Sequence, residues 1–338
     1  MSERVLTVED LRVSLPVPAG TLRAVQGVSF HVDRGETLCI VGESGCGKSL
    51  TALAIMGLLP TRAERAAARL ELEGRSLTDL PERVMSDIRG NRMAMIFQEP
   101  MTSLNPAYSI GDQLAEALRR HRRASQRVAR ARAVELLNRV GITAAESRLK
   151  QYPHQLSGGL RQRVMIAMAL MCQPALILAD EPTTALDVTI QAQILHLLAR
   201  LQREFAMGLI LITHDLGIVA RIATRVVVMY AGQVVEAGSA AAVFSAPRHP
   251  YTRGLMACIP VPGRTRRGAP LGTIPGLVPS LVGEIGGCHF AQRCPHTIDA
   301  CRAAPVPLET VAEGQEARCI RHRELGDAIA STPPVAVA

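Results

Sequence analysis

Over residues 4 to 41 apolar and polar positions alternate in short runs. Val5 to Val8, Val25 to Val32 and Leu38 to Val41 read as strands set off by the turn residues Pro16, Pro18, Gly20 and Gly35. This predicts a small antiparallel sheet laid against a larger core. Thr37-Leu38-Cys39-Ile40-Val41 is continuously apolar, as a strand covered on both faces should be, and Leu50 to Leu59 has the spacing of an amphipathic helix. Met93 to Phe97, Ala175 to Ala179 and Leu209 to Thr213 predict further buried strands, and Arg225 to Glu236 predicts a hairpin turning at Ala231-Gly232. From Thr102 to about Lys150 the period becomes helical, with Leu114, Leu118, Val134, Leu137 and Val140 on apolar faces, so an inserted helical subdomain is expected over about 102 to 165. A second apolar helix is expected from Val164 to Cys172. After Pro247 proline and glycine become frequent and periodicity fades, which sets off a region 246 to 330 from residues 1 to 245; the tail Ser331 to Ala338 is expected to be disordered.

Composition narrows the class. A chain of 338 residues with 48% hydrophobic content can bury a full core. No apolar run reaches the roughly 20 residues of a membrane span, and Met1-Ser2-Glu3-Arg4 lacks the layout of a signal peptide, so a cytoplasmic protein is expected. The formal charge is +8, yet there is no tryptophan and aromatics make up 3%, so the stacking surfaces of single-strand nucleic-acid binders are missing and no nucleic-acid partner is expected. Arg119, Arg120, Arg122, Arg123, Arg127, Arg130 and Arg132 cluster on a helical stretch, readable as a solvated face or as a surface facing anionic headgroups.

Between the strand at 37 to 41 and the helix after it lies Gly42-Glu43-Ser44-Gly45-Cys46-Gly47-Lys48-Ser49, which fits G-x-x-x-x-G-K-[ST] in the context that a phosphate-binding loop requires. Glycines let main-chain amides turn inward around an anion, and the helix adds its positive N-terminal end. Lys48 is then placed to reach terminal phosphates and Ser49 to ligate Mg2+. The chain has only two lysines, Lys48 and Lys150, among 38 basic residues, and one of them stands where a compact ammonium is needed. Gln98 follows a strand. Ser157-Gly158-Gly159 opens a helix, a second anion-binding terminus that could equally be an ordinary helix start. Asp180-Glu181 ends a strand, with Asp180 suited to Mg2+ and Glu181 to an attacking water. His214 follows another strand, where ligands collect in such sheets.

Taken together these motifs resemble the nucleotide-binding subunits of ABC transporters over roughly residues 4 to 245. The resemblance implies an α/β fold: a RecA-like core with an antiparallel β subdomain and an inserted helical subdomain, followed here by a Cys-rich extension. It implies that Gly42, Ser44, Gly45, Cys46, Gly47, Lys48 and Ser49 form Walker A around ATP, and that Gln98 is the Q-loop glutamine. It makes Leu156 to Leu160 the signature, with Ser157, Gly158 and Gly159 toward the nucleotide, Asp180 the Walker B aspartate, Glu181 the catalytic glutamate, Asp187 the D-loop aspartate and His214 the switch histidine. Mg2+ would be held by Ser49, Gln98 and Asp180. Two such subunits pair head to tail in that family, so the signature of one closes on the nucleotide of the other. Thr21-Leu22-Arg23-Ala24 departs from the pattern, since it offers no aromatic for adenine; Leu22 or Arg23 would pack there instead.

Phe97 to Pro106 and His249-Pro250-Tyr251-Thr252 are similar to the oligopeptide and dipeptide importer branch. That implies a protein peripheral to the cytoplasmic side of the inner membrane. Its partners would be two permease subunits, a second ATPase subunit, either a paralogue or another copy, and an extracytoplasmic substrate-binding protein. Nickel and glutathione importers share much of the pattern. A soluble ABC-type ATPase is the other class, but about 110 residues separate Walker A from the signature, without sustained heptads. A non-hydrolysing subunit would not need Lys48, Asp180, Glu181 and His214 together.

Cys288, Cys294, Cys301 and Cys319 fall in the last fifth of the chain at C-x5-C-x6-C-x17-C, whereas Cys39, Cys46, Cys172 and Cys258 are scattered. Four thiols in a loop-rich segment suggest a ligand cage. The resemblance to peptide-importer subunits implies a 4Fe-4S cluster, with zinc or free thiols as alternatives. His289, His296 and His322 lie nearby as substitute ligands.

Overall fold

The computed structural model describes residues 3–99, 103–184, 186–258 and 272–327. Pro100 to Thr102 of the Q-loop stretch and the tail expected to be disordered lie outside them. In chain order the strands are β1 (Arg4–Val17), β2 (Gly20–Asp33), β3 (Thr37–Val41), β4 (Glu64–Ala66), β5 (Arg69–Leu72), β6 (Arg75–Ser76), β7 (Met93–Ile96), β8 (Leu176–Asp180), β9 (Gly208–Ile212), β10 (Arg225–Tyr230), β11 (Gln233–Ser239), β12 (Glu309–Ala312) and β13 (Gln315–Ala317). The helices used below are α1 (Lys48–Met56), α2 (Glu82–Ile88), α3 (Ile110–Arg122), α4 (Gln126–Arg139), α5 (Ala145–Arg148), α6 (Gly158–Ala169), α7 (Val188–Phe205), α8 (Leu216–Ile222), α9 (Ala240–Ser245) and α10 (Pro250–Ala257). The chain divides into two compact units: one holds residues 1–6, 32–37 and 72–212, the other residues 7–31, 38–71 and 213 onward.

In the first unit β7, β8 and β9 run parallel, Met93 facing Leu176 and Leu176 facing Gly208. Every residue of β8 and β9 is buried, which is why they read in sequence as unbroken apolar runs. Between β7 and β8 the chain forms helices α3 to α6. Ile110, Leu114 and Ala115 of α3 are buried, as are Ala129, Ala133, Leu136 and Leu137 of α4, while Leu118 and Val134 are half-buried. Ser109 and Ser125 cap these two helices by accepting from Asp112 and Val128 N–H. Arg119, Arg120 and Arg122 occupy the last turn of α3, where a cation complements the helix dipole, and Arg120 pairs with Asp87 at 2.7 Å.

In the second unit β3 pairs in parallel with β10, and β10 turns back antiparallel into β11. The turn falls at Ala231 and Gly232, both at positive φ, as the sequence predicts. Several elements depart from expectation. β1 does not stop at Val8: Asp10 takes a left-handed conformation (φ 50°), its N–H donates to Ser29 Oγ at 2.9 Å, and the strand resumes through Leu11 and Val13. After Pro247, where periodicity fades, the chain still forms α10 and then returns to the sheet, β13 pairing with β11 and β12 with β13. Helix α1 begins at Lys48 and ends one turn earlier than the apolar spacing, at Gly57 (φ 65°). No described helix is long and apolar enough to cross a membrane.

Candidate functional site

The candidate residues divide between the units. In the second unit, the loop from Gly42 to Gly47 joins β3 to α1 under close steric control. A β-carbon on Gly42 (φ 152°) would lie 2.2 Å from Met229 O, and one on Gly47 (φ 102°) 2.4 Å from Ala24 O, so only glycine fits. Gly47 caps α1 without a side-chain bond, which leaves amides of the first turn for an anion. Lys48 is buried, its Nζ donating to Gly42 O at 2.8 Å and to Glu43 O at 2.9 Å, so its ammonium lies across the mouth of the loop. Ser49 follows in the first turn of α1. Cys46 is fully buried, its thiol pushed up by that burial and only partly offset by Lys48. His214 is exposed between Thr213, whose N–H donates to Ile40 O, and Asp215, the cap of α8.

In the first unit β8 ends on buried Asp180. Glu181 then takes a left-handed backbone (φ 42°), a conformation non-glycine residues hold only where their surroundings enforce it. Its N–H donates to Ile212 O at 2.9 Å, pinning the turn to β9. Its Oε2 accepts from Gln98 Nε2 at 3.2 Å and from Thr184 Oγ1 at 3.0 Å, so the amide after β7 and the carboxylate after β8 meet across 83 residues of sequence. Ser157 caps α6, its Oγ accepting from Leu160 N–H, and Ser157 and Gly158 are exposed. A β-carbon on Gly159 would lie 3.1 Å from Ile190, so this helix start packs closely against the start of α7. Asp187 caps α7 by accepting from Ile190 N–H at 2.9 Å.

The four C-terminal cysteines line one cavity in the second unit, together with Phe290 and His296. Burial pushes the thiols of Cys288 and Cys294 up, and that of Cys319 to about 11. None of the eight cysteines forms a disulfide, and among the described residues no three His, Cys, Asp or Glu side chains are placed to hold a single metal ion. His289 does not join the cavity as a ligand; its Nδ1–H donates to Ala231 O at 2.9 Å.

Sequence reasoning missed the residues that hold the phosphate loop from behind. The hydroxyl of fully buried Tyr251 accepts from Glu43 N–H at 2.8 Å, and Arg293 grips the Glu43 carboxylate at 2.6 and 3.0 Å. Tyr251 and Tyr230 pack as a tilted pair, 4.6 Å between ring centres and 56° between planes, and Phe290 meets Tyr230 edge-on at 5.2 Å. The motif around Tyr251 was visible in the sequence, but its partner was not.

Comparison with known proteins agrees with this geometry. The family model described as ABC transporter matches residues 25–184, and the model described as oligopeptide/dipeptide transporter, C-terminal region, matches residues 235–301. A putative peptide import ATP-binding protein of Brucella abortus is 53% identical, covering 95% of this chain and 98% of that protein. The dipeptide transport ATP-binding protein DppD of Escherichia coli is 49% identical, covering 96% of this chain and 98% of that protein. An ATP-binding cassette solved as a dimer in a post-hydrolysis state with ADP and Pi superposes with a TM-score of 0.62 at 28% identity, covering 70% of this chain and 98% of that one. The chain therefore belongs to the ATP-binding, ATP-hydrolysing subunits of ABC transporters, in the oligopeptide/dipeptide branch.

Proposed function

We propose that this subunit powers uptake of di- or oligopeptides through a membrane permease, working from the cytoplasmic face. The observation that carries this reading is the second matched region, residues 235–301: it is described for oligopeptide/dipeptide transporters specifically, and its Tyr251 and Arg293 hold the phosphate loop of this chain. The partners are two permease subunits, a second ATPase subunit and an extracytoplasmic binding protein. Purification of the tagged chain from solubilised membranes is expected to bring down the permease, and vesicles rebuilt from that complex with the binding protein are expected to accumulate dipeptide only when ATP is supplied. Accumulation of nickel or glutathione in place of dipeptide would replace the substrate assigned here.

The residue roles follow from chemistry. Loop amides from Gly42 to Gly47 and the Lys48 ammonium bind the phosphates. Ser49, Asp180 and Gln98 supply the oxygen donors that Mg2+ prefers, and the bound ion would neutralise charge on the leaving phosphate. Glu181, oriented by Gln98 and Thr184, positions and deprotonates the attacking water. His214 and Asp187 complete the surroundings of the terminal phosphate. Ser157, Gly158 and Gly159 of a second subunit close on it, which suits a helix start whose Ser157 and Gly158 are exposed. The layout is that of an ABC nucleotide-binding domain over 1 to 245, with the helical subdomain over about 102 to 165, and an extension beyond.

The extension is assigned a 4Fe-4S cluster held by Cys288, Cys294, Cys301 and Cys319. The assignment rests on the four thiols lining one cavity, four cysteine thiolates being the usual ligand set of such a cluster. Protein purified without oxygen is expected to absorb broadly near roughly 400 nm and carry about four irons per chain. Colourless protein with stoichiometric zinc would refute the assignment.

A further inference from the structure

The cysteine-lined cavity and the phosphate loop are joined by two braces within the second unit, and both start from residues adjacent to a cavity cysteine. Arg293, next to Cys294, is buried and makes a two-point ion pair with Glu43, a residue of the phosphate loop itself. It is held in place by Pro275 O and Ile274 O, both 2.9 Å away, and its guanidinium lies over the Tyr230 ring at 5.8 Å. His289, next to Cys288, donates to Ala231 O, and the following residue, Gly232, donates its N–H to Cys46 O at 3.1 Å. Glu43 is also tied by its own N–H to Tyr251.

The chemistry of the first brace bears on the ligand. A carboxylate in a loop built to hold polyphosphate would repel it; a planar two-point guanidinium cancels that charge and fixes the loop backbone at the same time. We propose that Arg293 is a positioning residue for nucleotide, and that through it the state of the four cavity thiols sets the affinity of the phosphate loop for ATP. Whatever loosens the cysteine segment withdraws Arg293 from Glu43, exposes the carboxylate to the phosphates and weakens nucleotide binding. The Arg293 part holds whatever occupies the cavity; the thiol part rests on the cysteines acting as one cage.

The test uses the full chain and reads the Kd of a fluorescent ATP analogue alongside iron content and melting temperature. Arg293→Met is expected to weaken the analogue by about tenfold, the order of one lost charge-assisted pair. Arg293→Lys should recover part of this. The double change Glu43→Gln with Arg293→Met should return to within about threefold of the parent, because no unpaired carboxylate remains. Tyr251→Phe, which preserves shape, should weaken binding by about threefold. Parent-like affinity in both Arg293→Met and Tyr251→Phe, or a double variant no tighter than Arg293→Met, overturns the positioning role. Cys294→Ser should weaken nucleotide in the parent but add little in the Arg293→Met background. An equal effect in both backgrounds, or none in either, overturns the coupling to the thiols. If the parent carries no iron and these affinities still move together, the cluster assignment fails while the brace stands.

Discussion

Glu181→Gln is expected to bind ATP as tightly as the parent while turnover falls by about two to four orders of magnitude, the range attributed to a positioned general base. The geometry argues for separating the two effects. Glu181 lies in the first unit, outside the phosphate loop, and its Oε2 is already oriented by Gln98 and Thr184, so the amide can occupy the same space without disturbing phosphate contacts. What it cannot do is accept the proton of water. Steady-state hydrolysis measured beside nucleotide affinity decides the matter, and the arrested protein should accumulate as a nucleotide-bound pair of subunits. Unchanged turnover would remove Glu181 from its role.

Gly47→Ala is expected to lose ATP by at least about tenfold, since left-handed backbone strain alone costs about 1–3 kcal/mol. The added methyl would also stand 2.4 Å from Ala24 O, a main-chain atom with little room to retreat. Gly45→Ala is the matched control: Gly45 has φ 79° but nothing within 4 Å of a β-carbon, so it carries the strain without the collision. Equilibrium nucleotide binding should rank parent, Gly45→Ala and Gly47→Ala in that order. A Gly47→Ala protein that binds like the Gly45→Ala control would mean the loop can move away from Ala24.

The residues that touch phosphate or water were legible because their chemistry is written locally. A phosphate loop needs its glycines and lysine within eight consecutive residues, and the acidic strand end at Asp180 needs only the apolar run before it. The brace was not legible, because Glu43 and Arg293 are ordinary surface-type residues until the fold brings them together. β1 was cut short in the reading because Asp10 breaks the alternation, and only the folded chain shows the strand continuing past it. β13 escaped for a related reason. Its inward residue Gln315 is polar, buried by hydrogen bonds to Glu236 at 2.8 Å and Ala246 O at 3.0 Å rather than by apolar contact, so period-two patterning carried no signal. The pairing of Gln98 with Glu181 was not foreseen, and Thr184 as the second donor belongs to no motif.

The ion pair between Glu43 and Arg293 spans 250 residues, and the bond from Glu43 to Tyr251 spans 208. On a ribosome the walls of the nucleotide pocket therefore emerge long before the side chains that steady them. For most of translation the nascent cassette owns a phosphate cradle without its braces, and these can form only after the chain has been made as far as Arg293.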